Sequence, residues 1–423
     1  MFIELSGTAY QNGKKIGKYT KETLLLHVKL IKKIQSIKKL PTNILNARIK
    51  DFTSILSRIS PHWLEEIKGQ SDITGIDVDN LILLNCLPHG FYSNLPPNFY
   101  QDNFLNCSSF LLVEPKRNIL LKIRDQKNFP QSFFSLKSKG FLSSQAGRDI
   151  GNMGYAHFFN EKCLAGANNT GSFVKDPSGK PLLNQCHIMR YISERASSVD
   201  DIPPLIEKLI DEKVLGGASG KKGNIFLFTD TQKGLLVENN FQEYTSKFIL
   251  EGSWVTTNNF TTPTAKKWES KPPSENTLTR RKRLKYLLKK NIDTLSPKVI
   301  SSFTRDTKNL PNSLCKNGRC NMFDTVSAQF QIIDKENPMN SLNYACCSNP
   351  LYSFFIPIPV SYTNTYLPLL NGFFSFKNKQ YSGDIDNEKL LSQINKWEED
   401  AFNLKNDTSS LLKEAYKELR KLM

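Results

Sequence analysis

The chain has 423 residues, 39% of them hydrophobic and 23% charged, a composition that supports one large buried core or two of modest size. Its 57 lysines and arginines exceed its 40 acidic residues and give a net charge of +17, which favours anionic partners. The sequence contains no apolar run of membrane-spanning length and no recognisable signal peptide, so it predicts a cytoplasmic protein.

The first part of the chain is predicted to be mainly helical. Helical spacing of apolar residues indicates helices at 13–39, 43–57, 61–69 and 78–85. The first of these helices is rich in lysine. Because its apolar residues share a face, it also has the pattern of a basic amphipathic helix that lies on a membrane surface.

Strands dominate the middle of the chain, and helices return towards the end. The predicted strands are 107–113, 119–125, 154–160, 163–167, 224–229, 234–238, 252–257, 325–333 and 342–347. The remaining predicted helices are 185–196, 201–211, 277–290, 386–403 and 409–422. This order predicts an α+β protein in which antiparallel sheets lie between helices.

Cys107 is the strongest candidate for a nucleophile. A cysteine nucleophile needs a nearby base, and none of the five histidines lies in a recognisable catalytic sequence. A break in the backbone before Cys107 would create an α-amino group with a pKa of about 7.7 to 8.0, which suits it to accept the thiol proton. The alternative is a buried structural cysteine, because free cysteines usually behave as small hydrophobic residues.

In the predicted helix 277–290, the spacing of charged and apolar residues distinguishes Arg280 from the other basic residues. This arginine shares a helix face with Leu284 and Leu287, whereas the other basic residues of the helix fall mostly elsewhere. Since the apolar face packs inward, Arg280 is expected to enter the core and to need a polar partner there, either Asp125 or a substrate. The other charges of this helix are expected to face solvent.

Several segments resemble the acyl-coenzyme A:6-aminopenicillanic acid acyltransferase family, which is related to choloylglycine hydrolase and acid ceramidase. The glycine-rich start at 5–17 is similar to the family's entrance motif, and 75–85 to the segment before its nucleophile. Residues 107–125 resemble the nucleophile hairpin, 166–171 the Gly-x-Asn-x-x-Gly turn and 187–196 the arginine-containing helix. Residues 223–238 resemble the next hairpin, 256–260 a Thr-Asn-His-Phe element, and 274–288 a helix with two arginines, here Arg280 and Arg283.

The resemblance implies a self-processing N-terminal nucleophile hydrolase with a four-layer αββα sandwich. The chain would be cut between Asn106 and Cys107, and the Cys107 thiolate would then attack an acyl amide or an acyl thioester. Asp125 would orient the new amino terminus, Asn258 would donate to the oxyanion, and Arg280 would support the site or the substrate. The resemblance also implies supporting positions in the site for Ser108, Ser109, Lys122, Asn168 and Arg283.

The same resemblance divides the chain into three parts. Residues 1–106 would form a propeptide or α subunit, 107–370 the catalytic αββα domain, and 371–423 a C-terminal helical extension that provides a cover or an oligomer surface. The two processed segments would stay associated. Three positions depart from the family pattern: Asn106 replaces glycine, Ile123 replaces asparagine and Asn259 replaces histidine.

No cofactor or metal is expected. Cys315 and Cys320, with Cys346 and Cys347, have poor spacing for zinc and no histidine nearby. The eight cysteines show no disulfide framework of the small secreted kind, and in a long chain without a signal peptide they are predicted to be reduced. The expected substrate is a small acyl compound, which the basic surface would attract if it is anionic. The alternative function is a basic binding module for an anionic ligand, a membrane surface or nucleic acid, although the sequence has no nucleic-acid motif.

Overall fold

The structure is a computed structural model of the whole chain. It describes residues 2–87, 106–127, 131–180, 182–218, 220–316, 323–346, 348–351, 353, 355–360, 392, 396, 398, 399 and 402. Within these residues the fold is a mixed α+β structure with two β-sheets. No helix among them has both the length and the apolarity needed to cross a membrane.

The N-terminal part consists of one strand followed by four helices. These are β1 (Phe2–Gly7), α1 (Ala9–Ile37), α2 (Thr42–Ile59), α3 (Pro61–Thr74) and α4 (Val78–Cys86). Helix α1 begins where Thr8 and Gln11 cap each other's backbone N–H groups, and α3 ends at Gly75, whose φ of 71° suits a helix C-terminus. The four predicted helices are therefore present, with α3 five residues longer than predicted, whereas β1 was not predicted.

The remaining elements are mostly strands. The strands are β2 (Asn106–Val113), β3 (Arg117–Lys127), β4 (Gln131–Ser138), β5 (Ser144–Asp149), β6 (His157–Asn160), β7 (Ala165–Phe173), β8 (Lys222–Thr229), β9 (Gly234–Asn239), β10 (Tyr244–Ile249), β11 (Gly252–Thr256), β12 (Phe323–Asp334), β13 (Leu342–Cys346) and β14 (Ile356–Pro359). The helices are α5 (Gln185–Ser193), α6 (Ile202–Asp211), α7 (Pro263–Lys266), α8 (Glu275–Lys290) and α9 (Pro297–Thr304).

The strands form an eight-stranded first sheet and a six-stranded second sheet. The order of the first sheet is β1-β4-β5-β6-β7-β8-β9-β10, and that of the second is β11-β2-β3-β12-β13-β14. All pairs are antiparallel except β1 with β4, which is parallel. The segment before Cys107 therefore contributes an edge strand to the first sheet.

Among the described residues, three groups of buried apolar side chains hold these elements together. The largest joins α1–α6 to one side of the first sheet, with Phe52, Trp63 and Phe134 among its members. A second group, which includes Leu111 of β2 and Leu227 of β8, contains side chains of both sheets. A third joins the second sheet to α8 and α9. The two sheets consequently share a core and each also packs against helices.

The glycine-rich start of the chain has a clear packing role. A Cβ atom on Gly13 of α1 would lie 2.0 Å from the backbone oxygen of Glu66 in α3, and one on Gly69 would lie 2.1 Å from the backbone oxygen of Tyr10. Real Cβ atoms do not approach an oxygen this closely. These glycines therefore allow α1 and α3 to cross with their backbones in contact.

Several sequence predictions of secondary structure need correction. Strands β1, β4, β5, β10 and β14 and helices α7 and α9 were not predicted, and the strand predicted at 154–160 begins only at His157. Strand β10 has mostly exposed or half-exposed residues, so it lacks the apolar alternation that reveals a strand. The helices predicted at 386–403 and 409–422, and the extension 371–423, lie almost entirely outside the described residues.

Candidate active site

Cys107 lies on strand β2, which pairs with β3 over its whole length. In this register Cys107 is opposite Arg124, and Ser109 is opposite Lys122. Because side chains alternate between the two faces of a strand, these four residues point to the face that carries Leu111 and the core shared by both sheets. Cys107 is 3% exposed there.

Asn106, Ser108 and Asp125 belong to the opposite face. Asn106 is directly opposite Asp125, and Phe110, two residues beyond Ser108, packs into the core formed with α8 and α9. The pairing thus separates the carboxylate of Asp125 from the thiol of Cys107 by the thickness of the strand pair.

Lys122 is the cation next to the Cys107 thiol. Its Nζ donates to the backbone oxygen of Asn168 and, at 2.6 Å, to Oδ1 of Asn169, which also accepts the hydroxyl of Ser109. Burial lowers the pKa of Lys122, and interaction with the Cys107 sulfur partly restores it. Lys122 is therefore a buried amine held between two oxygens and a sulfur.

The backbone of Cys107 is bound on both sides. Its N–H donates to Oδ1 of Asn258 at 2.9 Å, and its carbonyl oxygen accepts Nη1 of Arg280 at 2.5 Å. Arg280 Nη2 donates to the same Asn258 oxygen at 2.8 Å and to Oδ1 of Asn106 at 3.2 Å. Its Nη1 also reaches the Ser108 hydroxyl at 2.9 Å.

Arg280 enters the site from α8, where it is fully buried. Burial lowers its pKa, and the charges of Asp125 and Cys107 oppose this effect. Its direct partners are carbonyl, amide and hydroxyl oxygens, whereas Asp125 acts on it only through its charge. Helical spacing thus identified the arginine that is buried, but most of its partners could not be read from the sequence.

Asn258 is oriented differently from the expected oxyanion donor. Its Nδ2 donates to the backbone oxygen of Thr170 at 2.9 Å, while Oδ1 accepts from Cys107 and Arg280. Rotating the amide by 180° would place NH₂ against two donors, so the hydrogen bonds fix its orientation. In this structure Asn258 therefore acts as an acceptor towards the Cys107 backbone.

Asp125 is fully buried, and one of its oxygens has an evident partner. The Thr325 hydroxyl donates to Oδ1 at 2.7 Å, whereas Oδ2 has no hydrogen-bond partner in the described part of the chain. Burial raises the pKa of Asp125, and the charges of Lys316 and Arg280 offset this only in part. A carboxyl group of this kind is costly to ionise unless a cation approaches its free oxygen.

The other predicted supporting residues have separate roles. The Asn168 side chain donates to the backbone oxygen of Tyr155 at 3.1 Å, so it secures β7 rather than facing the thiol. Arg283 pairs with Asp306 at 2.5 Å near the surface. None of its described contacts joins it to Cys107.

The sequence analysis missed a second cation beside the thiol. Arg124 donates to both oxygens of Asp149, at 2.9 and 2.6 Å, and its charge acts on both Cys107 and Cys186. Burial raises the pKa of Cys186 to about 11, although Arg124 opposes this. The available signal was the pair of basic residues two apart, Lys122 and Arg124, in an otherwise apolar strand.

A buried ionic cluster ties the N-terminal helices to the rest of the protein. Glu66 of α3 binds Arg148 at 3.2 Å and Arg190 at 2.7 Å, and Arg190 also binds Glu194 at 2.7 Å. His62 of α3 reaches Glu194 at 2.9 Å. The resemblance pointed to the helix of Arg190 but gave no partner for it.

The described residues contain no group of three His, Cys, Asp or Glu side chains that could bind a metal ion. Cys315 and Cys346 are buried, while Cys320 and Cys347 lie outside the described residues. Burial raises the pKa of Cys346 to about 11.

Comparisons with known proteins give only distant likenesses. No protein-family model matches the sequence, and no curated protein matches it. A variant of the conjugated bile acid hydrolase from Clostridium perfringens has 11% identity and a TM-score of 0.37, covering 59% of this chain and 92% of its own. The N-acylethanolamine-hydrolyzing acid amidase orthologue from Caenorhabditis elegans has 11% identity and a TM-score of 0.36, covering 55% of this chain and 94% of its own.

Proposed function

We propose that the protein is a cysteine N-terminal nucleophile hydrolase that cuts itself between Asn106 and Cys107 and then cleaves or transfers an acyl group. The substrate is a non-peptide acyl amide or an acyl thioester. The observation that carries this proposal is the binding of Cys107 from three directions. Its thiol lies beside Lys122, its N–H is bound by Asn258, and its carbonyl oxygen is bound by Arg280.

A purely structural cysteine does not explain this arrangement. Cys163 is also buried between strands, yet its described contacts are a backbone oxygen and the Ser341 side chain. Cys107 instead lies where Lys122, Arg124 and Arg280 all act on it through their charges. No cation acts on Cys163 in this way among its described contacts.

The self-cleavage begins with attack of the Cys107 sulfur on the carbonyl carbon of Asn106. The C–N bond breaks as the C–S bond forms, the nitrogen takes up a proton, and water then hydrolyses the thioester to give a carboxylate at Asn106. Arg280, which binds both Asn106 and Cys107, and Asp125, which lies opposite Asn106, act on this bond. The freed α-amino group stays against Asn258 Oδ1.

In the mature protein the α-amino group takes the thiol proton as the sulfur attacks the substrate carbonyl. The leaving amine or thiol receives that proton, and water or an amine then releases the acyl group from sulfur. Asn258 holds the amino group through Oδ1. To donate to the oxyanion as well, its Nδ2 would have to leave the Thr170 oxygen.

The proposal includes the four-layer αββα architecture and the division of the chain at 106/107. It is supported by the three apolar cores, of which one is shared by the two sheets and the others join each sheet to helices. The edge strand β1 and the Glu66 cluster give residues 2–87 many contacts with the later part of the chain. The two processed segments would therefore remain associated.

The alternative function is a basic module that binds an anionic partner without catalysis. The net charge of +17 favours it, but the buried cations at Cys107 do not contribute to a surface. Binding that weakens with salt, in a protein without turnover, would support this alternative.

The test combines intact-mass measurement with a panel of acyl amides and acyl thioesters. We expect the purified protein to give two fragments that separate at residue 106/107, and Cys107→Ala to give one uncut chain of 48.2 kDa without turnover. Cys163→Ala is the matched control, because it removes another buried thiol and should retain both properties. An uncut wild-type protein with full turnover would contradict the use of the α-amino group as base.

A further inference from the structure

A pocket of about 620 Å³ lies away from the contacts that surround Cys107, between the segment that follows β7, the end of α6 and the turn from β9 to β10. Its volume is within the range of about 300–1,000 Å³ that is usual for small-molecule sites. Three lysines, Lys175, Lys180 and Lys213, line it together with Leu182, Leu215 and Phe241. The lysines are exposed, whereas Leu215 and Phe241 are buried.

The lysines form no ion pair with any described residue. Asp176 also lines the pocket, so the lining carries three positive charges and one negative charge. A surplus of unpaired cations around an apolar floor matches a ligand that has an apolar body and an anionic end group.

The walls of the pocket are fixed by contacts outside it. Arg48 of α2 donates to the backbone oxygen of Gly179 at 2.9 Å and to that of Cys86 at 2.9 Å, so it ties the segment after β7 to the end of α4. On the other side, the Leu183 N–H donates to the Val214 oxygen at 3.0 Å. Gly217 lets the Phe241 ring lie against its backbone, because a Cβ there would be 2.6 Å from the ring. The pocket is thus formed before any ligand binds.

Lys213 occupies a position where the fold alone would favour glycine. It lies two residues after the end of α6, directly after the C-cap residue Glu212, with a φ of 56°. Its N–H donates to the Ile210 oxygen, and the N–H of Val214 donates to the Leu209 oxygen. This is the hydrogen-bond pattern of a helix end that normally has glycine at the left-handed position. A lysine here is strained, yet it brings a cation to the pocket.

We propose that this pocket is a binding site for a monomeric amphipathic anion, a compound with an apolar chain or ring that ends in a carboxylate or a phosphate. The apolar part lies against Leu182, Leu215 and Phe241. The anionic end is bound by Lys175, Lys180 and Lys213. The site does not depend on the reactivity of Cys107, and a binding measurement therefore tests it separately from the proposed catalytic function.

The test is calorimetric titration of the full chain with dodecanoate and dodecyl phosphate below their micellar concentrations. We expect one molecule of either anion bound per chain, and affinity at least tenfold lower for acetate, inorganic phosphate and dodecyltrimethylammonium. Equal binding of acetate or phosphate, or no binding of either dodecyl anion at millimolar concentration, would overturn the proposal. Binding to anionic phospholipid vesicles without binding of the monomers would overturn it as well.

Two sets of variants locate the site. The triple change Lys175→Gln, Lys180→Gln and Lys213→Gln should lower affinity at least tenfold, whereas changing the exposed residues Lys139, Lys162 and Lys289 to glutamine should leave it unchanged. An equal loss of affinity in both variants would show that only the net charge matters, and it would overturn the proposed site. Lys213→Gly should raise the melting temperature and still weaken binding. This variant therefore distinguishes loss of the lysine charge from loss of folding stability. Unchanged binding in that variant would overturn the role of Lys213.

Discussion

Arg280 donates to Oδ1 of Asn258 at 2.8 Å, and this same oxygen accepts the backbone N–H of Cys107. The two side chains come from α8 and from the loop after β11, so the position of the start of β2 depends on both. If the peptide bond before Cys107 is cut, the new amino group is left beside an oxygen that Arg280 already polarises. The guanidinium charge therefore acts on the amino group through Asn258.

Replacing Arg280 should abolish function and weaken the fold. Arg280→Met removes the donors to the Cys107 carbonyl oxygen, the Ser108 hydroxyl and Asn258, and Oδ1 of Asn258 keeps only the Cys107 N–H, so we expect a loss of about 3 kcal/mol in the free energy of unfolding. Turnover should fall at least about 10²-fold. Urea unfolding and turnover of the best substrate measure the two effects.

Arg283→Met is the matched control, because it lies on the same helix and loses a partly exposed ion pair with Asp306. It should change stability by about 1 kcal/mol or less and leave turnover unchanged. If the two variants behaved alike, the special position of Arg280 would be refuted.

Asp125→Asn should prevent self-cleavage without destabilising the fold. Burial raises the pKa of Asp125, so the fold becomes less stable as the pH rises through the range in which this carboxyl would ionise in the unfolded chain. Asparagine keeps an acceptor for the Thr325 hydroxyl and removes the buried charge. We therefore expect a melting temperature at neutral pH that is unchanged or higher, together with loss of cleavage at Asn106 by intact mass. A variant that cleaves at the wild-type rate would show that the charge is not needed.

The limits of sequence analysis are clear in the hairpin around Cys107. Alternating and apolar runs identified β2 and β3, but the sequence could not give their register, and a shift of one residue moves a side chain to the other face. The resemblance implied only that Asp125 lies beside the new amino terminus; the register adds that Asp125 pairs with Asn106 and that its side chain is on the face opposite that of the thiol. The Asn258 orientation depends on Thr170, 88 residues earlier, and such a contact has no local signal.

Lys122 should matter for the reactivity of Cys107 in addition to its structural hydrogen bonds to Asn168 and Asn169. Lys122→Arg keeps a cation but puts a larger, forked group between the Asn168 and Asn169 oxygens, and Lys122→Met keeps the length without the charge. We expect alkylation of Cys107 by iodoacetamide at neutral pH to slow at least about tenfold in Lys122→Met and less in Lys122→Arg. Mass mapping of the labelled peptide distinguishes Cys107 from the other thiols. Equal labelling rates in Lys122→Met and wild type would exclude electrostatic activation by this lysine.

Gly13→Ala should be destabilising although alanine is the better helix former. Helix propensity alone would favour alanine by about 1 kcal/mol. The new Cβ would meet the Glu66 backbone at 2.0 Å, so α1 must move away from α3, and we expect a net loss of about 2 kcal/mol in thermal unfolding. Gly179→Ala is the control, since a Cβ there meets nothing within 4 Å and stability should be unchanged or slightly higher. A stabilised Gly13→Ala variant would contradict the close crossing.

The cluster at Glu194 should make the protein sensitive to acid in a defined range. Burial would raise the pKa of Glu194, but the charge of Arg190 and hydrogen bonds from His62 and Arg190 outweigh burial and lower the pKa from its usual 4.5 to about 2. A carboxyl group with a lowered pKa stabilises the fold at any pH above its pKa in the unfolded chain. This contribution is lost as the pH falls from 4.5 towards 2. Because the Glu194 side chain is fully buried, water does not screen these interactions, and the lowered pKa corresponds to about 3 kcal/mol of folding stability.

Glu194→Gln should therefore lower stability at pH 7 by about 3 kcal/mol and flatten the loss of stability below pH 4.5, as measured by urea unfolding at a series of pH values. Glu212→Gln is the control, because it removes a carboxylate that pairs with Arg58 but is 37% exposed, and it should leave the acid slope almost unchanged. Since Glu194 binds His62 of α3, acid should also release the N-terminal segment of a cleaved protein. An acid slope that is the same in wild type and Glu194→Gln would show that other carboxylates, such as Glu66 or Asp149, govern it.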